Sequence, residues 1–342
     1  MMAPREYRVK LGIGILISLS FIYLAFQKVD FGQMWHSFKA ANYWYILPAV
    51  AIVFLSHFLR ALRWRYFLDP IRRLDTKSLF SSLMIGYMAN LLMPAHLGEI
   101  LRAYVLSKKL SIAGSSTFAT IVMERIVDVF TLLALMVLAI SIYPFPVWVK
   151  KSGYIMFAGV FGLFVFLVLL KKFRLRMQEL VAFFLGRFSE RFQQNIVDVV
   201  TNFVCGIVPL KSRGDYAIVS ILSVLIWTCY GLVFYFNLRA FNFTTTYHLP
   251  WSASLILLVV TTISVVIPSS PGYVGTYHYL CQISLALFGV PAGPALSFAA
   301  VVHGINFLPV LVVGLILSCS EGATLSKISV KKAFADNVPQ IV

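Results

Sequence analysis

Glu124, Arg125 and Asp128 lie in Val122-Met123-Glu124-Arg125-Ile126-Val127-Asp128, inside a run from 115 to 141 that carries no other charge. Glu124 and Asp128 are four residues apart and share a helix face, and Arg125 is three residues from Asp128. Counted from Ser115, Glu124 lies roughly 14 Å along the helix, near a bilayer midplane. One charge at the centre of a spanning helix costs about 2.5–3.5 kcal/mol. Three within five residues must therefore face the protein interior, pair with one another, or line a wet cavity. The same reasoning applies to His96, Glu99 and Arg102, where Glu99 and Arg102 are spaced to pair on one face. A third set is His278, with His303 and Asn306 further on. Guanidiniums among carboxylates suit an anion, and Arg102, a planar fork of donors, is the residue best matched to phosphate. A buried network that only fixes helix register accommodates the same residues. The four cysteines, Cys205, Cys229, Cys281 and Cys319, are scattered, and no DxD, nucleotide-binding loop or Cys/His ligand cluster occurs. The expectation is therefore no catalytic residue, no metal and no cofactor.

These residues need an apolar scaffold, and the composition supplies one. The chain has 342 residues, 60% hydrophobic and 12% charged, where soluble domains are about 25% charged. Its mean hydropathy is +0.85. An all-α polytopic membrane helix bundle follows, read as a single integral membrane domain over 1–342. The net charge of +16 sits in short segments between apolar runs. That suits topology and attraction to anionic headgroups, not a nucleic-acid face. Six runs read as full spans: 11–27, 44–62, 115–141, 153–170, 215–237 and 295–318. Two others, 78–108 and 250–290, are broken by Pro and Gly and read as helical hairpins. The breaks hold Pro94 and Gly98 in the first, and Pro268, Pro271, Gly272 and Gly275 in the second. If both hairpins are re-entrant, basic residues gather on one side and both termini are cytoplasmic. Residues 172–212 read as an interfacial amphipathic helix. His57 and Arg60 read as interfacial anchors, and Trp35, Trp44, Trp64, Trp148 and Trp251 as an aromatic belt.

The order helix, helix, hairpin, helix occurs twice, over 11–141 and 153–318, and the charge bias gives the halves opposite orientation. In both breaks a Pro precedes a Gly by four residues. An inverted-topology repeat of this kind places irregular backbone and half-helix ends near the midplane, where an N-terminal end favours an anion.

The residues that carry this pattern are also familiar. Pro94-Ala95-His96-Leu97-Gly98-Glu99-Ile100-Leu101-Arg102, then Glu124-Arg125-Ile126-Val127-Asp128, then Pro271-Gly272-Tyr273-Val274-Gly275 resemble the lysylphosphatidylglycerol synthase transmembrane-domain family, over roughly residues 10–320. The family includes the membrane half of enzymes that aminoacylate phosphatidylglycerol, where that half translocates the lipid a soluble domain makes. His96 stands where the family often has Arg, and His278 where an acidic residue often follows the second break. About two dozen residues follow Ser318, so the expectation is a flippase-like translocase without synthase activity, working with a separate lipid-modifying enzyme. The resemblance implies membrane lipids as partners: an anionic or aminoacylated phospholipid, or a polyprenyl-phosphate-linked lipid, moved across the cytoplasmic (inner) membrane. The alternative is an ion-coupled secondary transporter of a small solute; an integral membrane transferase is a third class. The headgroup lane is expected to hold His96, Glu99, Arg102, Glu124, Arg125, Asp128 and His278.

Overall fold

The computed structural model describes residues 4–143 apart from 28, 94–96 and 111, scattered positions between 147 and 169, and 210–321 apart from 267–270. The described residues are helical, with no strand among them. In chain order they form α1 (Pro4–Phe26), α2 (Phe31–Ala40), α3 (Ile46–Leu68), α4 (Thr76–Leu92), α5 (Leu97–Leu110) and α6 (Gly114–Ile142). Then follow α7 (Arg213–Ala240), α8 (Phe243–Thr246), α9 (Ser252–Val266), α10 (Thr276–Ala286) and α11 (Ala292–Ser320). Short 3₁₀ turns at Tyr43–Tyr45 and Pro271–Tyr273 lead into α3 and towards α10.

Four of these elements are long and apolar enough to cross a membrane: Tyr43–Leu68, Gly114–Ile142, Arg213–Ala240 and Ala292–Ser320. They match four of the six expected spans. The run 11–27 falls within α1, whose described apolar part is Leu16–Phe26. The expected span 153–170 is described at only a few positions, and most of 172–212 lies outside the described residues. The spans turn Leu47, Leu55, Val137, Ile221, Val224, Leu308 and Ile316 outward. Inward they bury a core that includes Leu83, Leu133, Val233, Leu257 and Phe298. Cys229 and Cys281 are buried, while Cys319 is exposed.

The two broken regions fold as pairs of short arms. By length, α4 spans about 25 Å and α5 about 21 Å, less than a hydrocarbon core of roughly 30 Å. They lie antiparallel: Asn90 Oδ1 accepts from the Gly98 N–H at 2.8 Å, and Gly86 faces Arg102. Glycine is required at this crossing. A Cβ on Gly98 would collide with the Gly86 carbonyl, and one on Gly86 would lie 2.8 Å from the Gly98 carbonyl. Gly314 of α11 likewise presses on Met88 and the Met84 carbonyl of α4, the close backbone approach that small residues permit between membrane helices.

Contacts at the helix ends order the bundle. Lys109, near the end of α5, pairs with Glu321, just past α11, at 2.8 Å. The Asn42 N–H, before α3, donates to the Ala240 carbonyl at the end of α7 at 2.7 Å. The Tyr143 hydroxyl, past α6, donates to the Leu287 carbonyl, past α10, at 3.1 Å.

The helix α2 is a feature that hydropathy alone does not reveal. Asp30 caps it by accepting from the Gly32 and Gln33 N–H groups. One face grips α11, where the Ser297 hydroxyl donates to the Met34 carbonyl at 2.7 Å and Gly293 lies against Asp30 and Met34. The other face exposes Phe31, Trp35 and Phe38. Trp44 and Trp251, each just ahead of a helix, and Trp35, on the outer face of α2, are exposed, as an aromatic belt requires; Trp148 lies outside the described residues.

Candidate functional site

A cluster of ions lies where α3, α5 and α6 meet. Arg60 and Arg102 each stand eight residues from the end of their helix, and Glu124 ten from the start of its own, about 12–15 Å from the ends. Glu124 is fully buried and binds three arginines. Its Oε1 accepts from Arg60 Nη2 at 2.7 Å and lies 3.5 Å from Arg63 Nη2, and its Oε2 accepts from Arg102 Nη2 at 2.8 Å. Asp128, one turn on, takes Arg60 Nη2 on Oδ2 at 2.6 Å and Arg63 Nη2 on Oδ1 at 2.5 Å.

Neutral groups hold the arginines from behind. The Tyr230 hydroxyl accepts from Arg60 Nη1 and the Ser223 hydroxyl from Arg63 Nη1, both at 2.9 Å and both on α7. Arg102 lies flat on the Trp64 ring, its Cζ 3.6 Å from the ring centroid, a cation–π contact strengthened by burial. Trp64 in turn donates from Nε1 to Thr120 Oγ1 at 3.0 Å. Charges this deep are tolerable because each is paired and hydrogen-bonded.

Arg125 differs from the rest. Its side chain is 37% exposed and that of its partner Glu99 is 18% exposed, whereas no other ion of the cluster exceeds 9%. Arg125 Nε lies 3.1 Å from Glu99 Oε1. Asp128 Oδ2 is 3.6 Å from Nη1, and Glu124 Oε1 is 4.0 Å from Nη2. Among the described residues, four guanidiniums thus meet three carboxylates, a surplus of one positive charge.

The second break reaches the end of α4 nearby. Gly272, at φ 71°, packs so closely that a Cβ would lie 2.7 Å from the Phe307 ring and 3.6 Å from the Leu91 carbonyl at the end of α4. Tyr273, at φ 58°, stands within electrostatic reach of Arg125 and Glu99. His303 Nε2 lies 2.9 Å from the Gly272 carbonyl oxygen. Gly275, at φ 91°, presses on the Ser18 carbonyl of α1.

Of the residues singled out in the sequence, Glu99, Arg102, Glu124, Arg125 and Asp128 are therefore together. His278 belongs to a separate aromatic group beside the second break: its ring centroid is 4.8 Å from that of His303, and its Nδ1 is 3.4 Å from the Gly275 nitrogen. His96, Pro94 and Pro268 lie outside the described residues. Glu99 pairs with Arg125, not with Arg102 as the spacing alone allowed.

With this geometry in place, comparison with known proteins is informative. The family model described as the lysylphosphatidylglycerol synthase TM region matches residues 12–314. The chain belongs to this family. A UPF0104 membrane protein of Methanothermobacter thermautotrophicus is 25% identical over 295 residues, covering 82% of this chain and 85% of that one. The glycosyltransferase AglD of Haloferax volcanii is 25% identical over 348 residues, covering 93% of this chain. The chain spans only 55% of the length of that glycosyltransferase. The stretch matched by the family model takes in every ion of the cluster.

The structure makes two corrections to the expected roles. Arg60 and His57 are not interfacial anchors: they are 4% and 9% exposed, and Arg60 is a central partner of both buried carboxylates. Trp64 is not part of the belt; it is fully buried under Arg102. Arg63, fully buried, was not singled out at all. A signal for the two arginines existed: Glu124 and Asp128 require more cations than Arg125 supplies, and Arg60 and Arg63 are spaced to share a helix face.

Proposed function

We propose that this chain is a lipid translocase of the cytoplasmic membrane, moving a lipid whose headgroup carries a phosphate: an anionic or aminoacylated phospholipid or a polyprenyl-phosphate-linked lipid. The observation that carries the reading is the ion cluster with its surplus positive charge, closed on the α3 and α7 side and accessible at Arg125. A phosphate monoanion there would neutralise the surplus, while its acyl chains stay in the bilayer. Arg102, Glu124 and Asp128 set the field of the lane. Glu99 and Arg125 stand at its mouth, and His96 and His278 would line its continuation through the breaks.

The inverted repeat and the re-entrant hairpins belong to the same proposal, and the end contacts support them. The Lys109–Glu321 pair, at the end of α5 and past the end of α11, supports a first hairpin that opens on that side. The Tyr143–Leu287 contact, past α10 and at the far end of α6, supports a second hairpin that opens on the other, since α6 has 29 residues and is about 44 Å long. Hairpins that open on opposite faces would suit alternating access around a midplane site. On this proposal the basic bias favours cytoplasmic termini. We propose translocation without synthesis, so the lipid would come from a separate lipid-modifying enzyme. Kinship with a protein named a glycosyltransferase keeps lipid-linked sugars within the cargo class.

The test is reconstitution into liposomes containing headgroup-labelled phosphatidylglycerol, with dithionite or enzymatic access to one leaflet. Movement above that of empty liposomes is expected. Transport of a soluble solute with no lipid movement would replace this reading with that of a small-solute transporter.

A further inference from the structure

We infer that Glu99 is a built-in stand-in for the lipid phosphate: it occupies Arg125 until a headgroup arrives, and the incoming phosphate takes its place on the guanidinium. This rests on the translocase reading and adds to it the residue that exchanges and the one that receives.

Three observations carry it. The first is access. Arg60, Arg63 and Arg102 have side chains no more than 5% exposed and are committed to Glu124 and Asp128, so an anion entering from outside meets Arg125 first. The second is alignment. The Arg125 Nε is 3.1 Å from Glu99, yet Nε and Nη2, both buried on the side that faces Glu99, make no aligned hydrogen bond among the described residues, so that edge of the guanidinium opens to an incoming anion only as Glu99 leaves. Its other two carboxylate contacts, at 3.6 and 4.0 Å, exceed hydrogen-bond range. Arg125 is thus held by charge with its planar fork unfilled. A phosphate offers that fork two oxygens at once, the bidentate geometry for which guanidinium is suited. The third is charge. Exchange of Glu99 for a phosphate monoanion on Arg125 leaves the guanidinium neutralised, and the freed carboxylate faces a cluster that still holds a positive surplus. Glu99 rides on α5, one arm of the first hairpin, so its release couples headgroup arrival to that arm. Tyr87 and Tyr273 also stand near Arg125, and Asp128, 3.6 Å from Nη1, is held by Arg60 and Arg63, so among the described residues Glu99 is the carboxylate free to exchange at this mouth.

Native mass spectrometry of the purified chain in detergent, titrated with phosphatidylglycerol and, in parallel, with water-soluble glycerophosphoglycerol, tests the exchange. Diacylglycerol, which lacks the phosphate, serves as the control. Glu99→Gln removes the competitor, and it should bind phosphatidylglycerol about tenfold more tightly than wild type. Glu99→Asp, which keeps the competitor, should stay close to wild type. Arg125→Gln should bind phosphatidylglycerol no better than diacylglycerol, and Arg125→Lys, lacking the fork, should fall between. A gain confined to the lipid assigns a lipid phosphate, and an equal gain for the soluble compound assigns a free phosphodiester; either supports the exchange. Glu99→Gln binding at or below wild-type affinity overturns it, as does wild-type affinity in Arg125→Gln. If an Arg125 variant fails to fold, the double variant Glu99→Gln/Arg125→Gln replaces it, since it removes a neutral pair; wild-type affinity there also overturns the proposal. The translocase reading fails separately. Wild type that moves no lipid in liposomes ends that reading even if Glu99→Gln binds phosphate more tightly.

Discussion

Replacing Glu124 by Gln should destabilise the protein more than any other single neutral substitution in the cluster. The side chain is fully buried and faces Arg60, Arg63 and Arg102. Gln keeps the volume and one carbonyl acceptor but removes the charge. Three buried arginines would then share only Asp128, and the surplus among these inner groups rises from one positive charge to two. Removing one partner of a buried ion pair costs about 3–5 kcal/mol, which at 1.4 kcal/mol per decade is roughly two to three and a half decades in the folded-to-unfolded ratio. Arg102→Met in the same chain restores the original surplus and keeps an apolar contact on Trp64, so the double variant should regain most of the loss. The assay is thermal denaturation of detergent-purified protein followed by size-exclusion chromatography, for wild type, both single variants and the double variant. Glu124→Gln melting at the wild-type temperature would refute the reasoning, and so would simple additivity of the two losses.

Gly98→Ala should sharply reduce the yield of folded protein, because its Cβ collides with the Gly86 carbonyl; Gly12→Ala, where a Cβ meets nothing within 4 Å, should not, and fluorescence-detected chromatography of both compares them directly. Asp75 caps α4 by accepting from the Ser78 N–H at 2.8 Å, so Asp75→Ala should cost about 1 kcal/mol in a thermal melt. That hydrogen bond holds the Asp75 carboxyl below its ordinary range; its contribution is full above the unfolded carboxylate value and is lost as pH falls through the depressed folded value, so wild type and Asp75→Ala should converge in acid. Single cysteines at Lys77 and Lys109, at the two open ends of the first hairpin, should be labelled by an impermeant maleimide from the same side of the membrane; labelling from opposite sides would rule out the re-entrant reading.

The spans were legible because each is a long apolar run: the ends of α6, α7 and α11 fall within three residues of the expected bounds, while α3 runs six residues past its expected end and carries Arg63 and Trp64 in the extension. The carboxylates of the site were legible for a related reason: Glu124 and Asp128 interrupt an apolar run, where a charge needs a partner. Arg60 and Arg63 were harder to read. They sit towards the end of a hydrophobic stretch, where arginines usually reach the interface, and only the carboxylates some 60 residues later in the chain draw them inward. Trp64 was misassigned for the same reason: its place near a span end fits a belt residue equally well, and its role depends on Arg102 arriving from another helix. The α2 helix was missed because its three exposed aromatics are separated by polar residues, which blunts hydropathy. His278 was expected in the headgroup lane with the ions, but its neighbours are the Tyr277 ring and His303, a grouping that depends on how α10 meets α11.

The fit of α2 on α11 ties the protein to the thickness of its bilayer. Phe31, Trp35 and Phe38 present one aromatic edge, which floats at the headgroup level and resists displacement in either direction. Through Ser297 and Gly293 that float is fastened to the first turns of α11, the helix whose His303 and Phe307 hold the second break. If the hairpins enter from opposite leaflets, as proposed, a thicker membrane would draw α2 outward and carry the second break away from the end of α4. The separation of these two points would then vary with hydrophobic mismatch, and bilayers of graded acyl-chain length become a ruler for the gap that the proposed translocation has to bridge.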